Sequence, residues 1–112
     1  MSNEFYTRER CFITELLNDA NIPSVSLARC RVAPGVQTEL HRLGVDEWYV
    51  VESGTGKVRV GAEAERLVGP GDTVTIPAGT PQQISNTGDE QLLFLCVCIP
   101  RFTPQSYEPL EE

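Results

Sequence analysis

Histidine is almost missing from this chain: of 112 residues only His41 carries an imidazole, and methionine and tryptophan also occur once each. One histidine rules out zinc sites of the H-E-x-x-H type, the two-His-one-carboxylate iron triad and any all-histidine cage. Basic residues are scarce as well. Nine Lys and Arg stand against 16 Asp and Glu, a net charge of −7, so a nucleic-acid backbone or an anionic bilayer would be repelled and neither is expected as a partner. No apolar run approaches the roughly 18 to 20 residues that span a bilayer, and Met1 to Arg10 alternate polar and charged groups where a secretory signal needs an apolar stretch. The expected location is cytoplasmic, and Cys11, Cys30, Cys96 and Cys98 are then expected as free, mostly buried thiols. A phosphate loop is absent too, because Gly54-Thr55-Gly56-Lys57 lacks the preceding glycine and Val58 stands where Ser or Thr would bind magnesium.

Turn formers are plentiful and evenly dispersed. Nine glycines and eight prolines punctuate the chain, with turn signals at Pro34-Gly35, Gly54-Thr55-Gly56, Gly69-Pro70-Gly71, Pro77-Ala78-Gly79 and Thr87-Gly88-Asp89. Between these signals lie stretches of strand length: 25–33, 37–43, 47–53, 57–61, 65–68, 73–77, 82–86 and 92–99. Several alternate with period two, as in Val58/Val60, Val74/Ile76 and Gln82/Ile84/Asn86, which places each set on one strand face. The chain reads as one all-β domain over 1–112, with half-buried strands of the kind that build sandwiches and closed barrels. The stretch Cys11-Phe12-Ile13-Thr14 favours a strand, although Phe12, Ile13, Leu16 and Leu17 also fit a helical face. The tail 100–112 contains Pro100, Pro104 and Pro109, which cannot donate to a sheet ladder, and is expected as coil on the outside.

Two blocks carry recognisable spacing. In 35–54, Gly35 is followed after five residues by His41, then by Glu47 and, after six more residues, by Gly54. In 71–86, Gly71 is followed after five residues by Pro77, then by Gly79, Gln82 and Asn86. These blocks resemble the two motifs of the cupin superfamily, G-x5-H-x-H-x3,4-E-x6-G and G-x5-P-x-G-x2-H-x3-N, and the closing stretch Phe94 to Phe102 is similar to the last strand of small single-domain cupins. The resemblance implies a double-stranded β-helix, a jelly-roll-like barrel of two antiparallel sheets. It also implies one divalent ion (Mn, Fe, Ni or Zn) held in the wide mouth by the motif ligands. Position by position, His41 and Glu47 match that ligand set, Leu43 replaces the second histidine, and Gln82 replaces the third.

The implied metal residues are therefore His41, Glu47 and Gln82, the last offering an amide oxygen that suits a hard ion. The turn Gly44-Val45-Asp46 is short enough for His41 and Glu47 to meet across a hairpin. Leu43, Tyr49, Phe94 and Cys96 are expected to line the pocket, with Trp48 on the opposite face of its strand and available for a homodimer contact. What the resemblance implies about function is a metal-dependent isomerase or lyase acting on a small metabolite. The alternative is a non-catalytic small-molecule-binding or sensing barrel, which the loss of one motif histidine and the replacement of another favour.

Overall fold

The computed structural model describes residues 3–111 and contains eleven strands and a single 3-10 turn. In chain order these are β1 (Glu4–Tyr6), β2 (Phe12–Leu17), β3 (Ser26–Val32), β4 (His41–Leu43), β5 (Asp46–Ser53), β6 (Gly56–Val60), β7 (Arg66–Val68), β8 (Thr73–Ile76), β9 (Gln82–Asn86), β10 (Leu92–Ile99) and β11 (Tyr107–Pro109). They form a six-stranded sheet in the order β1-β2-β3-β10-β5-β8 and a five-stranded sheet in the order β11-β4-β9-β6-β7. Every pairing is antiparallel. The fold is an all-β double-stranded β-helix. Among the described residues no helix is long and apolar enough to cross a membrane.

Alternation decides which side chains fill the barrel. Along β10, Leu92, Phe94, Cys96 and Cys98 are buried while the residues between them are not, and along β5 Glu47, Tyr49 and Val51 do the same. The main core joins Leu92, Phe94, Cys96, Tyr49 and Val51 to Cys11 just before β2, Cys30 and Val32 of β3, Val58 of β6, Val68 of β7, Val74 and Ile76 of β8 and Ile84 of β9. A second, smaller cluster of Leu43, Val45 and Cys98 is covered by Phe102 and Tyr107 from the C-terminal segment. Trp48 lies half-buried on the outer face of the six-stranded sheet, opposite Thr75.

The motif residues that carry no charge are structural. Gly54 adopts φ 85°, and a Cβ there would stand 2.6 Å from the Gln91 carbonyl oxygen, so a side chain is excluded twice over. Asn86 is buried with its amide fully used. Its Nδ2 donates to the Val32 and Glu90 carbonyls at 2.8 Å each, and its Oδ1 accepts from the Gly88 N–H at 2.9 Å. That side chain ties the β9–β10 loop to β3 in the opposite sheet.

Three expectations are corrected. The tail is not coil: Pro104–Ser106 forms the 3-10 turn and Tyr107–Pro109 forms β11, paired with β4 so that Pro109 stands opposite His41. A proline fits there because β11 is an edge strand. Gly44-Val45-Asp46 is not a hairpin turn, since β4 belongs to the five-stranded sheet and β5 to the six-stranded one. The turn crosses between sheets, with the Gly44 N–H donating to the Ser106 carbonyl at 2.8 Å. Finally, 37–43 is a strand only at His41–Leu43, and Gln37 makes an isolated bridge to Ser85.

Candidate functional site

A cavity of about 700 Å³ opens at one end of the barrel. Its inner wall is built from alternate residues of the central strands: Glu47 and Tyr49 of β5, Phe94, Cys96 and Cys98 of β10, Cys30 of β3, and His41 and Leu43 of β4. Both terminal segments frame it, Phe5 to Glu9 from one side and Arg101 to Tyr107 from the other. Three expected pocket residues, Leu43, Tyr49 and Phe94, and the cysteine Cys96 border this space. So do His41 and Glu47, which approach from opposite sheets. Gln82 is Cα-paired with His41 and completely buried, and it does not border the cavity.

His41 is fixed by its neighbours. Its Nδ1 lies 2.6 Å from the Glu39 carbonyl oxygen, which only accepts, so Nδ1 carries a hydrogen. In the neutral ring Nε2 is then a free acceptor, 3.7 Å from Glu9 Oε2. The ring stacks on Tyr107 with centroids 4.8 Å apart. The Glu39 carboxylate does not border the cavity; it takes the Tyr107 hydroxyl at 2.5 Å and a two-point bond from Arg8 at 3.1 and 3.2 Å. Burial alone would raise Glu39, but the Tyr107 hydroxyl and the Arg8 guanidinium hold its carboxyl below the usual value.

Glu47 has no such support. It is 6% exposed, its Oε1 has no hydrogen-bond partner, and its Oε2 is met only by the Cys98 thiol at 3.8 Å. Loss of water around the carboxylate, reinforced by the negative charge of Glu9, pushes its pKa up to about 8, although Gln82, Cys96 and Cys98 draw it part of the way back. Burial also raises Glu9, with His41 opposing and Glu39 adding to the shift. At neutral pH the inner end of the cavity therefore holds a neutral carboxylic acid beside a second carboxyl group whose charge is also disfavoured. Burial raises Cys96 and brings Cys98 up to about 12, so neither thiol is ionised. Cys96 Sγ rests 3.2 Å from Cys30 Sγ, and all four cysteines are free and buried.

The metal implied by the sequence resemblance does not fit this donor set. Gln82, completely buried and held through Oε1 by the Tyr49 hydroxyl, does not border the cavity where an ion would sit. The remaining Gln82 atom, Nε2, is a buried donor without a partner and cannot serve as a ligand. Among the described residues no three His, Cys, Asp or Glu side chains are gathered closely enough to hold an ion.

Sequence reasoning missed Glu9, Cys30, Phe102 and Tyr107. Glu9 sits between β1 and β2, outside both motif blocks, and Tyr107 lies in a proline-rich tail, so neither carried a spacing signal. Cys30 was legible through alternation, since it shares a β3 face with Val32.

Comparison with known proteins agrees with this architecture. The cupin domain family profile matches residues 28–98. An uncharacterized protein of Methanocaldococcus jannaschii is 34% identical over 110 residues, covering 96% of this chain and 87% of its own length. Among solved structures, oxalate decarboxylase from Bacillus subtilis superposes with a TM-score of 0.84 at 23% identity, covering 97% of this chain. A cupin-2 domain protein from Rhodospirillum rubrum gives 0.83 at 24%, with 99% of this chain and 76% of that one covered. Capsular polysaccharide assembling protein CapF from Staphylococcus aureus gives 0.84 at 22%, over 100% of this chain. The chain spans only 30% of the oxalate decarboxylase chain and 35% of CapF, so with these two it shares a fold and not a whole protein. With the family profile covering most of its strands and a relative aligned along nearly its full length, this chain belongs to the cupin domain family.

Proposed function

We propose that this cupin binds a small organic molecule in its barrel, without a resident metal ion. The observation that carries this reading is the cavity of about 700 Å³, walled by Leu43, Tyr49, Phe94, Phe102 and Tyr107, with Glu9, His41 and Glu47 bordering it. That volume falls within the roughly 300–1,000 Å³ of ordinary small-molecule sites, and mostly apolar walls with a few polar groups are the usual composition of such sites. Lewis-acid chemistry of the isomerase or lyase kind needs an ion held by several donors, and Gln82 does not reach the cavity that His41 and Glu47 border. The polar groups that remain are suited to orienting a ligand.

The test uses a neutral reporter, the fluorophore N-phenyl-1-naphthylamine, and the variant Ala28→Trp, because Ala28 borders the cavity and an indole there would project into it and obstruct a ligand of that size. The expected result is saturable binding to the native chain that is lost in Ala28→Trp with cooperative unfolding preserved. Absence of saturable binding to the native chain refutes the proposal.

A further inference from the structure

Resting on that organic-ligand reading, we infer that the ligand carries a flat aromatic ring system, held at the cavity mouth between the two terminal segments. Aromatic residues gather at this cavity out of proportion to their number. Phe5, Tyr49, Phe94, Phe102 and Tyr107 border it, five of the eight Phe, Tyr and Trp residues in the chain, although only 26 of its 112 positions do so.

Phe5 is the residue that points to a ligand. Register places it on the inward face of the six-stranded sheet, in one cross-strand row with Ile13 of β2, Cys30 of β3 and Phe94 of β10. Cys30 and Phe94 in that row are buried in the core, whereas Phe5 is 47% exposed. Alternation turns the inward side chains of a sheet toward the core, but the ring of Phe5 ends at the cavity, where no side chain covers it fully. Nearly half of a large apolar ring left open on an inward face is surface that a ligand can bury.

Phe102 and Tyr107 border the same space from the C-terminal segment, both half-buried against Leu43, Val45 and Cys98. Tyr107 is fixed further by its stacking on His41 and by its hydroxyl bond to Glu39. Its orientation is set before a ligand arrives, so little side-chain entropy is lost on binding. Deeper in the cavity the rings of Tyr49 and Phe94 lie 4.6 Å apart and tilted by 47°. The sulfurs of Cys30 and Cys96 continue that wall with polarisable surface, which favours contact with ring edges. Rings attract one another through offset and edge-on contacts beyond the area they bury, and a saturated body of the same size has the area alone.

The experiment is calorimetric titration of the full chain at neutral pH with two uncharged probes of one skeleton, 2-naphthalenemethanol and its fully hydrogenated counterpart. The aromatic probe is expected to bind once per chain and at least about fivefold more tightly than the saturated one, because several ring contacts add to the shared apolar burial. Replacing both Phe5→Leu and Phe102→Leu keeps the mouth apolar and removes two rings, so the preference should fall below about twofold. Phe5→Leu alone, at an exposed position on the edge strand β1, serves if the double variant does not unfold cooperatively, and it should cut the preference by about half.

A smaller preference in the native chain, or none, overturns the aromatic inference and leaves the organic-ligand reading standing. Binding of neither probe also overturns it, and the organic-ligand reading then stands or falls on the fluorophore and Ala28→Trp. An undiminished preference in the folded leucine variants overturns the placement at Phe5 and Phe102.

Discussion

Replacing Glu47 by glutamine should change the pH dependence of stability more than stability itself. In the unfolded chain Glu47 titrates near 4.5, and in the fold burial carries it to about 8. Between these values the folded protein holds a proton that the unfolded chain has released. Stability is therefore fully supported below 4.5 and is lost as pH rises through 8. At about 1.4 kcal/mol per pH unit, the span from 4.5 to about 8 caps the loss at about 5 kcal/mol. That is large beside the roughly 5–15 kcal/mol total stability of a domain. Exposure of only 6% leaves little solvent to screen the effect.

Glutamine has nearly the same shape and does not titrate, so Glu47→Gln should lose this dependence. Trp48, the single tryptophan, reports urea unfolding by fluorescence. The two proteins should unfold with similar free energies near pH 5, and the variant should be the more stable by about 2–5 kcal/mol near pH 9. Glu9 is also raised by burial and adds a dependence of the same sign, but it is present in both proteins and largely cancels in the difference. A difference between variant and native protein that stays constant from pH 5 to 9 would refute the assignment of a buried, neutral Glu47.

Three further outcomes follow from the same geometry. Reconstitution with Mn, Fe, Ni or Zn followed by desalting should leave far less than one equivalent by elemental analysis, and one retained equivalent that disappears in His41→Ala would contradict a donor set too sparse to hold an ion. Tyr49→Phe removes the donor to Gln82 Oε1 and leaves that buried amide wholly unpartnered, so urea unfolding should show a loss of about 1–3 kcal/mol. A thiol reagent such as DTNB at about pH 8 should react slowly with the folded chain, because the hydrogen bond with Cys30 and then burial raise Cys11, the lowering of Cys30 by Cys11 is outweighed by its contact with Cys96 and by burial, and burial raises Cys96 and Cys98; it should titrate all four thiols once urea is added. Fast reaction of one thiol in the folded chain would show that the cavity admits solvent more freely than the packing implies.

Local features of the chain were legible from sequence because their causes are local. Strands 82–86 and 92–99 are bounded as their alternation and flanking turns predict, and Gly54 and Asn86 stand where a close approach and a loop tie require those residues. Leu43, Tyr49, Phe94 and Cys96, which the family resemblance set at the pocket, are buried on alternate strand positions. Strand partnership is a different kind of information. Whether Gly44-Val45-Asp46 folds back as a hairpin or crosses between sheets depends on competition from β9 and β11 for β4, and from β8 and β10 for β5. Those competitors lie far along the chain and leave no mark in the turn itself.

The same holds for the chemistry of the site. Spacing brought His41, Glu47 and Gln82 forward as a set, but only the packed barrel decided that Tyr49 captures the Gln82 oxygen and that Glu9 reaches His41 from outside the motifs. Sequence fixes which donors and acceptors exist. Tertiary structure decides which are already spent on one another, because hydrogen bonds are saturable and buried charge depends on every group around it.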